Sequence, residues 1–153
     1  MTVTAYPLSH NGVESSAFVI RSGSDVMLCM GDTGPDAVER SHGLADLWAA
    51  IAPDIRMHRL RAIVVEASYA NGRPDAELFG HLTPAWLIAS LRALERAAGG
   101  NGALKGISVI VAHVKYPLDG RQTHARALRR ELEEGSDLGV KFILPSQGQY
   151  WRL

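Results

Sequence analysis

Apolar positions along the chain gather into short runs, and polar, glycine-rich or proline-containing segments separate the runs. Residues 16–20 and 26–30 are two β-prone runs joined by Arg21-Ser22-Gly23-Ser24-Asp25, a pattern that predicts adjacent antiparallel strands with a turn between them. Gly31-Asp32-Thr33-Gly34-Pro35 ends the second run, and Pro35 suits the first turn of a helix. From residue 36 to 51, Val38, Leu44, Leu47, Trp48 and Ile51 fall at helical spacing, which predicts one or two amphipathic helices interrupted near Gly43. Residues 62–65 are apolar throughout, so a strand buried on both faces is expected there. Thr83-Pro84 joins a hydroxyl cap to a proline at the first helical position, and the helix it opens carries Trp86, Leu87, Leu91 and Leu94 before Gly99-Gly100 stops it. Residues 107–111 predict a fourth strand, 123–134 another helix and 141–144 a fifth strand, with a last strand expected over 149–153. Strands alternating with helices imply a layered α/β fold in one compact unit, without repeats, linkers or low-complexity tracts.

Composition narrows the function classes. Sixteen basic residues balance sixteen acidic ones, so no basic stripe marks a nucleic-acid partner. The basic stretch from Arg121 to Arg130 alternates with apolar residues and runs into Glu131, Glu133 and Glu134, as a solvated helix face does. The single cysteine, Cys29, excludes an internal disulfide and a cysteine-based zinc cluster, and its apolar neighbours predict a buried thiol. No apolar stretch approaches the ~20 residues of a membrane helix. The start at Met1 has no charged segment leading into an apolar one, so a cytoplasmic location is the default unless a signal segment stands upstream.

Polar residues that directly follow buried strands lie on one rim of an α/β sheet, where ligand sites collect. Asp32-Thr33, Glu66-Ala67-Ser68 and His113-Val114-Lys115 are such residues, and Gly80-His81-Leu82-Thr83 sits on a loop that opens a helix. Carboxylate and imidazole together suit a divalent metal. Asp32 can bridge two metals or simply cap the helix after Pro35. His113 can bind a metal or rest as a core histidine on backbone. Glu66 can serve a histidine, or pair with Arg73 or a backbone amide. His42, His58 and His124 read as surface or structural residues. The chain contains no H-x-H or H-x-x-x-H arrangement, so no local pair of zinc ligands stands together.

Five segments in order carry a more specific signal: Ser15-Ser16-Ala17-Phe18-Val19-Ile20, Gly31-Asp32-Thr33-Gly34-Pro35-Asp36, Val65-Glu66-Ala67-Ser68-Tyr69, Leu78-Phe79-Gly80-His81-Leu82-Thr83-Pro84, and the run from Ile107 to Ala112-His113-Val114-Lys115. Together with Phe142-Ile143-Leu144 and Gly148, this set resembles the class II cyclic-nucleotide phosphodiesterases of the metallo-β-lactamase superfamily and covers nearly the whole chain. The resemblance implies the C-terminal half of a metallo-β-lactamase αβ/βα sandwich, a mixed sheet flanked by helices. It implies that Asp32 bridges two metals and that His113 is the last histidine ligand. Glu66 and His81 match a pair just outside the metals, in which the carboxylate orients an imidazole that donates a proton to the departing 3′ oxygen. Lys115 would face the phosphate, and His10 lies where the family has a histidine that faces substrate. The implied reaction is hydrolysis of cAMP or cGMP to the 5′-nucleotide by a two-metal hydroxide mechanism.

The same resemblance defines what the chain lacks. The family's H-x-H-x-D-H cluster is absent, so Asp32 and His113 are the remaining ligand candidates, whereas catalytic zinc sites use at least three protein donors. This implies an incomplete set for two zinc ions, an inactive chain on its own, and a partner in the form of a missing N-terminal half or a second copy. One apolar face of the sheet is expected to be exposed. Two alternatives from other classes stand beside this: a non-catalytic nucleotide-binding or interaction module, and a transfer-RNA 3′-processing endonuclease of the same superfamily.

Overall fold

The structure is a computed structural model that describes residues 1–115 and 123–150. Its centre is one sheet of six strands, β1 (Thr2–His10), β2 (Val13–Ser22), β3 (Asp25–Met30), β4 (Leu60–Glu66), β5 (Ser108–Ala112) and β6 (Lys141–Ile143), arranged side by side in sequence order. β1, β2 and β3 are antiparallel neighbours, while β3, β4, β5 and β6 are parallel. Parallel neighbours need crossovers, and helices supply them. Helices α1 (Asp36–Glu39) and α2 (Gly43–Arg56) link β3 to β4, α3 (Pro84–Ala97) links β4 to β5, and α4 (Thr123–Gly135) links β5 to β6.

The helices start where local chemistry supports them. The Thr83 hydroxyl accepts from the Trp86 amide at 3.4 Å, with Pro84 in the first turn. At α2 the cap comes from a distance: the Asp36 carboxylate accepts from the amides of Leu44 at 3.1 Å and Ala45 at 2.9 Å. Asp36, rather than Asp32, therefore caps a helix here. Leu47, Ile51 and Ile55 of α2 and Leu87, Leu91 and Leu94 of α3 pack on the sheet residues Val19, Leu28, Ile63, Val65, Val109 and Val111. Each such side chain contributes about 1.5–3 kcal/mol of burial. Asp54 of α2, itself buried, accepts from Nη2 of Arg21 on β2 at 2.8 Å and adds an ionic tie between helix and sheet.

Three expectations are corrected. β1 had no counterpart in the sequence reading, because Pro7 interrupts a threonine-rich stretch; at the edge of the sheet the missing amide costs no ladder bond. The Asn11-Gly12 turn, at φ +51° and +76°, then returns the chain directly into β2. Second, among the described residues the helices cover one face only. Val64 and Cys29, expected to be buried, are half-buried because with Phe18, Ile20, Met27 and Ile110 they line the opposite face. Third, Gln149 and Tyr150 are not in a strand, and the rest of the anticipated last strand, like Arg121 of the basic run, lies outside the described residues.

Candidate active site

Strand direction brings the candidate residues together. β1 is antiparallel to β2 and β2 to β3, so β1 runs with β3, β4 and β5. The C-terminal ends of these four strands share one rim, which gathers His10, Asp32, Glu66 and His113. His81 arrives on the loop that leads into α3.

Glu66 and His81 are 2% and 4% exposed, so each polar atom needs a partner. Glu66 has several. Its Oε1 is 2.7 Å from His81 Nδ1 and accepts from the Thr33 amide at 3.1 Å. Its Oε2 accepts from the Ser68 hydroxyl at 2.7 Å and, more distantly, from the Leu82 amide at 3.4 Å. The alternative partner, Arg73, is engaged elsewhere: its Nε donates to the Glu77 carbonyl at 2.6 Å. A carboxylate acceptor on Nδ1 places the proton of His81 on that nitrogen. Nε2 then faces the rim, where Lys115 Nζ lies 2.7 Å away, and an ammonium has only protons to offer. The chain of groups Glu66, His81, Lys115 is thus polarised outward from a buried charge to an exposed one.

Lys115 is held at its root and its tip. Its amide donates to the Ser68 carbonyl at 3.0 Å, and Nζ donates to the Tyr69 hydroxyl at 3.2 Å. His10 donates from Nδ1 to the Gly80 carbonyl at 2.8 Å, and its ring meets that of His81 edge-on at 4.6 Å. The approach is close enough to require glycine at position 80: a Cβ there would lie 2.6 Å from His10 Nδ1, and the backbone has φ +80°.

His113 sits at φ +53°, unusual for a residue with a side chain, and its ring stacks on that of His81 at 5.2 Å. Its Nε2 is 3.4 Å from Asp32 Oδ2. Ligand atoms of His10, Asp32 and His81 also lie within 4.8 Å of one another. Imidazoles converging on a partly exposed carboxylate form a donor set that fits a divalent metal. The fit is partial for His81, since Nδ1 is committed to Glu66 and Nε2 meets Lys115.

Residues 1–148 match the family model of the class-II cAMP phosphodiesterases. The chain belongs to that family. Within it, the chain is 42% identical over 149 residues to the 3′,5′-cyclic-nucleotide phosphodiesterase of Aliivibrio fischeri, an alignment covering 97% of this chain and 45% of the relative. The crystal structure of unliganded yeast PDE1 superposes with a TM-score of 0.79 at 28% identity, covering 93% of this chain and 43% of the other. The metallo-beta-lactamase fold protein YhfI from Bacillus subtilis shares the fold, with a TM-score of 0.57 at 16% identity. The expected fold class and family therefore hold, and the chain spans less than half the length of these phosphodiesterase relatives. Among the described residues no helix is long and apolar enough to cross a membrane.

All six residues singled out from the sequence meet at this rim of the phosphodiesterase fold. Two further residues that the sequence places on this rim, without a role, take part in the site. Thr33 gives Glu66 a backbone amide, and Ser68, fully buried, touches Glu66, His81 at 3.3 Å and the His113 carbonyl at 2.9 Å. Both stand inside recognised segments, Gly-Asp-Thr-Gly and Glu-Ala-Ser, which was the available signal.

Proposed function

We propose that this chain supplies the leaving-group side of a 3′,5′-cyclic-nucleotide phosphodiesterase active site, opening cAMP or cGMP to the 5′-nucleotide. The observation that carries this is the buried Glu66–His81 pair at 2.7 Å, capped outward by Lys115 beside the partly exposed Asp32 and the exposed His113. Lys115 neutralises a phosphate oxygen, and the Tyr69 hydroxyl steers its ammonium. A proton shared between Lys115 Nζ and His81 Nε2 is the one we assign to the departing 3′ oxygen as its bond to phosphorus breaks. Glu66 compensates the charge that His81 carries during the transfer, and His10 borders the same opening. Asp32 and His113 would hold a divalent cation such as zinc, which supplies Lewis-acid charge neutralisation and an activated water when bound.

Two protein donors leave such a site incomplete. We therefore assign the remaining ligands to the part of the relatives that this chain does not span, and we place that part against the apolar sheet face of Phe18, Ile20, Met27 and Ile110. Nucleotide binding without turnover is the second reading, favoured by the same shortage of donors.

Mixing this chain with the N-terminal portion of the Aliivibrio fischeri relative, in zinc- or manganese-containing buffer, provides the test. Conversion of cAMP to 5′-AMP, followed by chromatography, is expected only when both parts are present. Glu66→Gln and His81→Ala should each lower kcat by about a hundredfold or more, the scale of a positioned acid–base group. Binding of cAMP with no product would favour the second reading, and turnover indifferent to both substitutions would exclude the assigned roles.

A further inference from the structure

We propose that Phe79, Arg73 and Tyr69 form a platform for the purine base of the nucleotide whose phosphate meets His81 and Lys115. This rests on the phosphodiesterase function above and adds to it the part of the site that holds the base. Contacts run without a break from the phosphate end outward. Tyr69 meets the His81 ring edge-on at 5.8 Å, and Lys115 Nζ lies 5.1 Å from the centre of the Tyr69 ring. The Arg73 guanidinium is 4.0 Å from the same ring centre and 5.7 Å from that of Phe79. An aromatic ring, a planar cation and a second aromatic ring therefore stand in sequence beside the phosphate-facing groups.

Phe79 is the unexpected member. The residue stays 52% exposed although Leu78 before it is fully buried, and its backbone adopts φ +51°, costly for a bulky residue. Burial would favour turning the ring inward, so something holds it out. The loop is pinned on both sides of it. The Asn71 amide donates to Glu131 of α4 at 2.9 Å, the Asn71 carbonyl oxygen of the side chain accepts from the Ala85 amide at 2.8 Å, and Trp86 Nε1 donates to Asp75 at 3.0 Å. Gly80, tight against His10, fixes the other end. The ring is thus presented by a preformed loop, which lowers the ordering cost of a ligand that stacks on it.

The chemistry of the platform selects the ligand. A base stacks on an aromatic ring and on a guanidinium plane alike. Arg73 is held over Tyr69 by the bond from its Nε to the Glu77 carbonyl at 2.6 Å. Its remaining N–H groups match the N7 acceptor that every purine offers. A pyrimidine has the smaller stacking face and lacks that acceptor.

The test is titration of the isotope-labelled chain with 5′-AMP, ribose 5-phosphate and inorganic phosphate, followed by amide chemical shifts. The wild-type chain should bind 5′-AMP roughly five- to a hundredfold more tightly than ribose 5-phosphate, the range that stacking one base supplies. Phe79→Gly relieves the backbone and removes the ring; it should bring the two affinities within about twofold, while Phe79→Tyr keeps the preference. Equal wild-type affinities, or a preference that survives Phe79→Gly, would overturn the platform and leave the phosphodiesterase function standing. Shifts with none of the three ligands, phosphate included, would likewise overturn the platform, while the phosphodiesterase function stands or falls on the mixing experiment above.

Discussion

Ser68 joins three parts of the rim through one hydroxyl. It carries a single proton, which goes to the nearer and charged acceptor, Glu66 Oε2, while its oxygen stays within reach of His81 Nδ1 and the His113 carbonyl. Ser68→Ala would leave a buried carboxylate one donor short. The expected loss is about 1–3 kcal/mol of stability, read from the midpoint of urea unfolding with the slope unchanged. A loss within about 0.3 kcal/mol would mean that the remaining donors satisfy Glu66 unaided. At this scale the sequence identified the groups with chemistry of their own, the carboxylates and imidazoles. It gave no sign of Ser68 as their organiser, because a serine is unremarkable until its partners, 13 and 45 residues away, are folded around it. The backbone of Phe79 was equally silent, since nothing about phenylalanine announces a left-handed conformation.

Elements were legible where local signals sufficed. Thr83-Pro84 and Gly99-Gly100 bracket α3, and the break expected near Gly43 falls just before it, at residues 40–42 between α1 and α2, because caps and breakers act within a few residues. β1 was hidden because its pairing depends on a neighbour, although Asn11-Gly12 is a strong hairpin signal. The Arg21–Asp54 tie between β2 and α2 was hidden for a similar reason, since 33 residues separate the partners. Asp54→Ala removes one partner of a pair in which Arg21 keeps a side-chain exposure of 31%. Water can still reach the orphaned guanidinium, so the penalty falls below that of a fully buried pair. A loss of about 1–2 kcal/mol is expected, seen as a lower Tm, and an unchanged Tm would mean that packing alone seats α2.

Among the described residues the sheet has one covered and one uncovered face, a property no strand reveals by itself. Residues 62–65 read as doubly buried because the sequence cannot tell whether a second layer is at hand. Cys29 reports on that face. Its partial burial pushes the thiol above its ordinary pKa, so less thiolate is present at neutral pH. Alkylation by iodoacetamide should therefore run slower than that of free cysteine near neutral pH, and accelerate as pH rises past the ordinary thiol range. Adding the N-terminal portion of a relative should suppress it further; a rate equal to that of free cysteine in both states would contradict the proposed docking face. The strand order has a separate consequence for how such a chain comes into being. With β1 to β6 side by side in sequence order, each strand after β1 meets, as it leaves the ribosome, a neighbour that has already emerged, and none of the six must wait for a distant segment. The six strands can add one to the next like rungs of a ladder, and β6, at one edge, is a rung of only three residues, too short to offer a stray chain much to pair with.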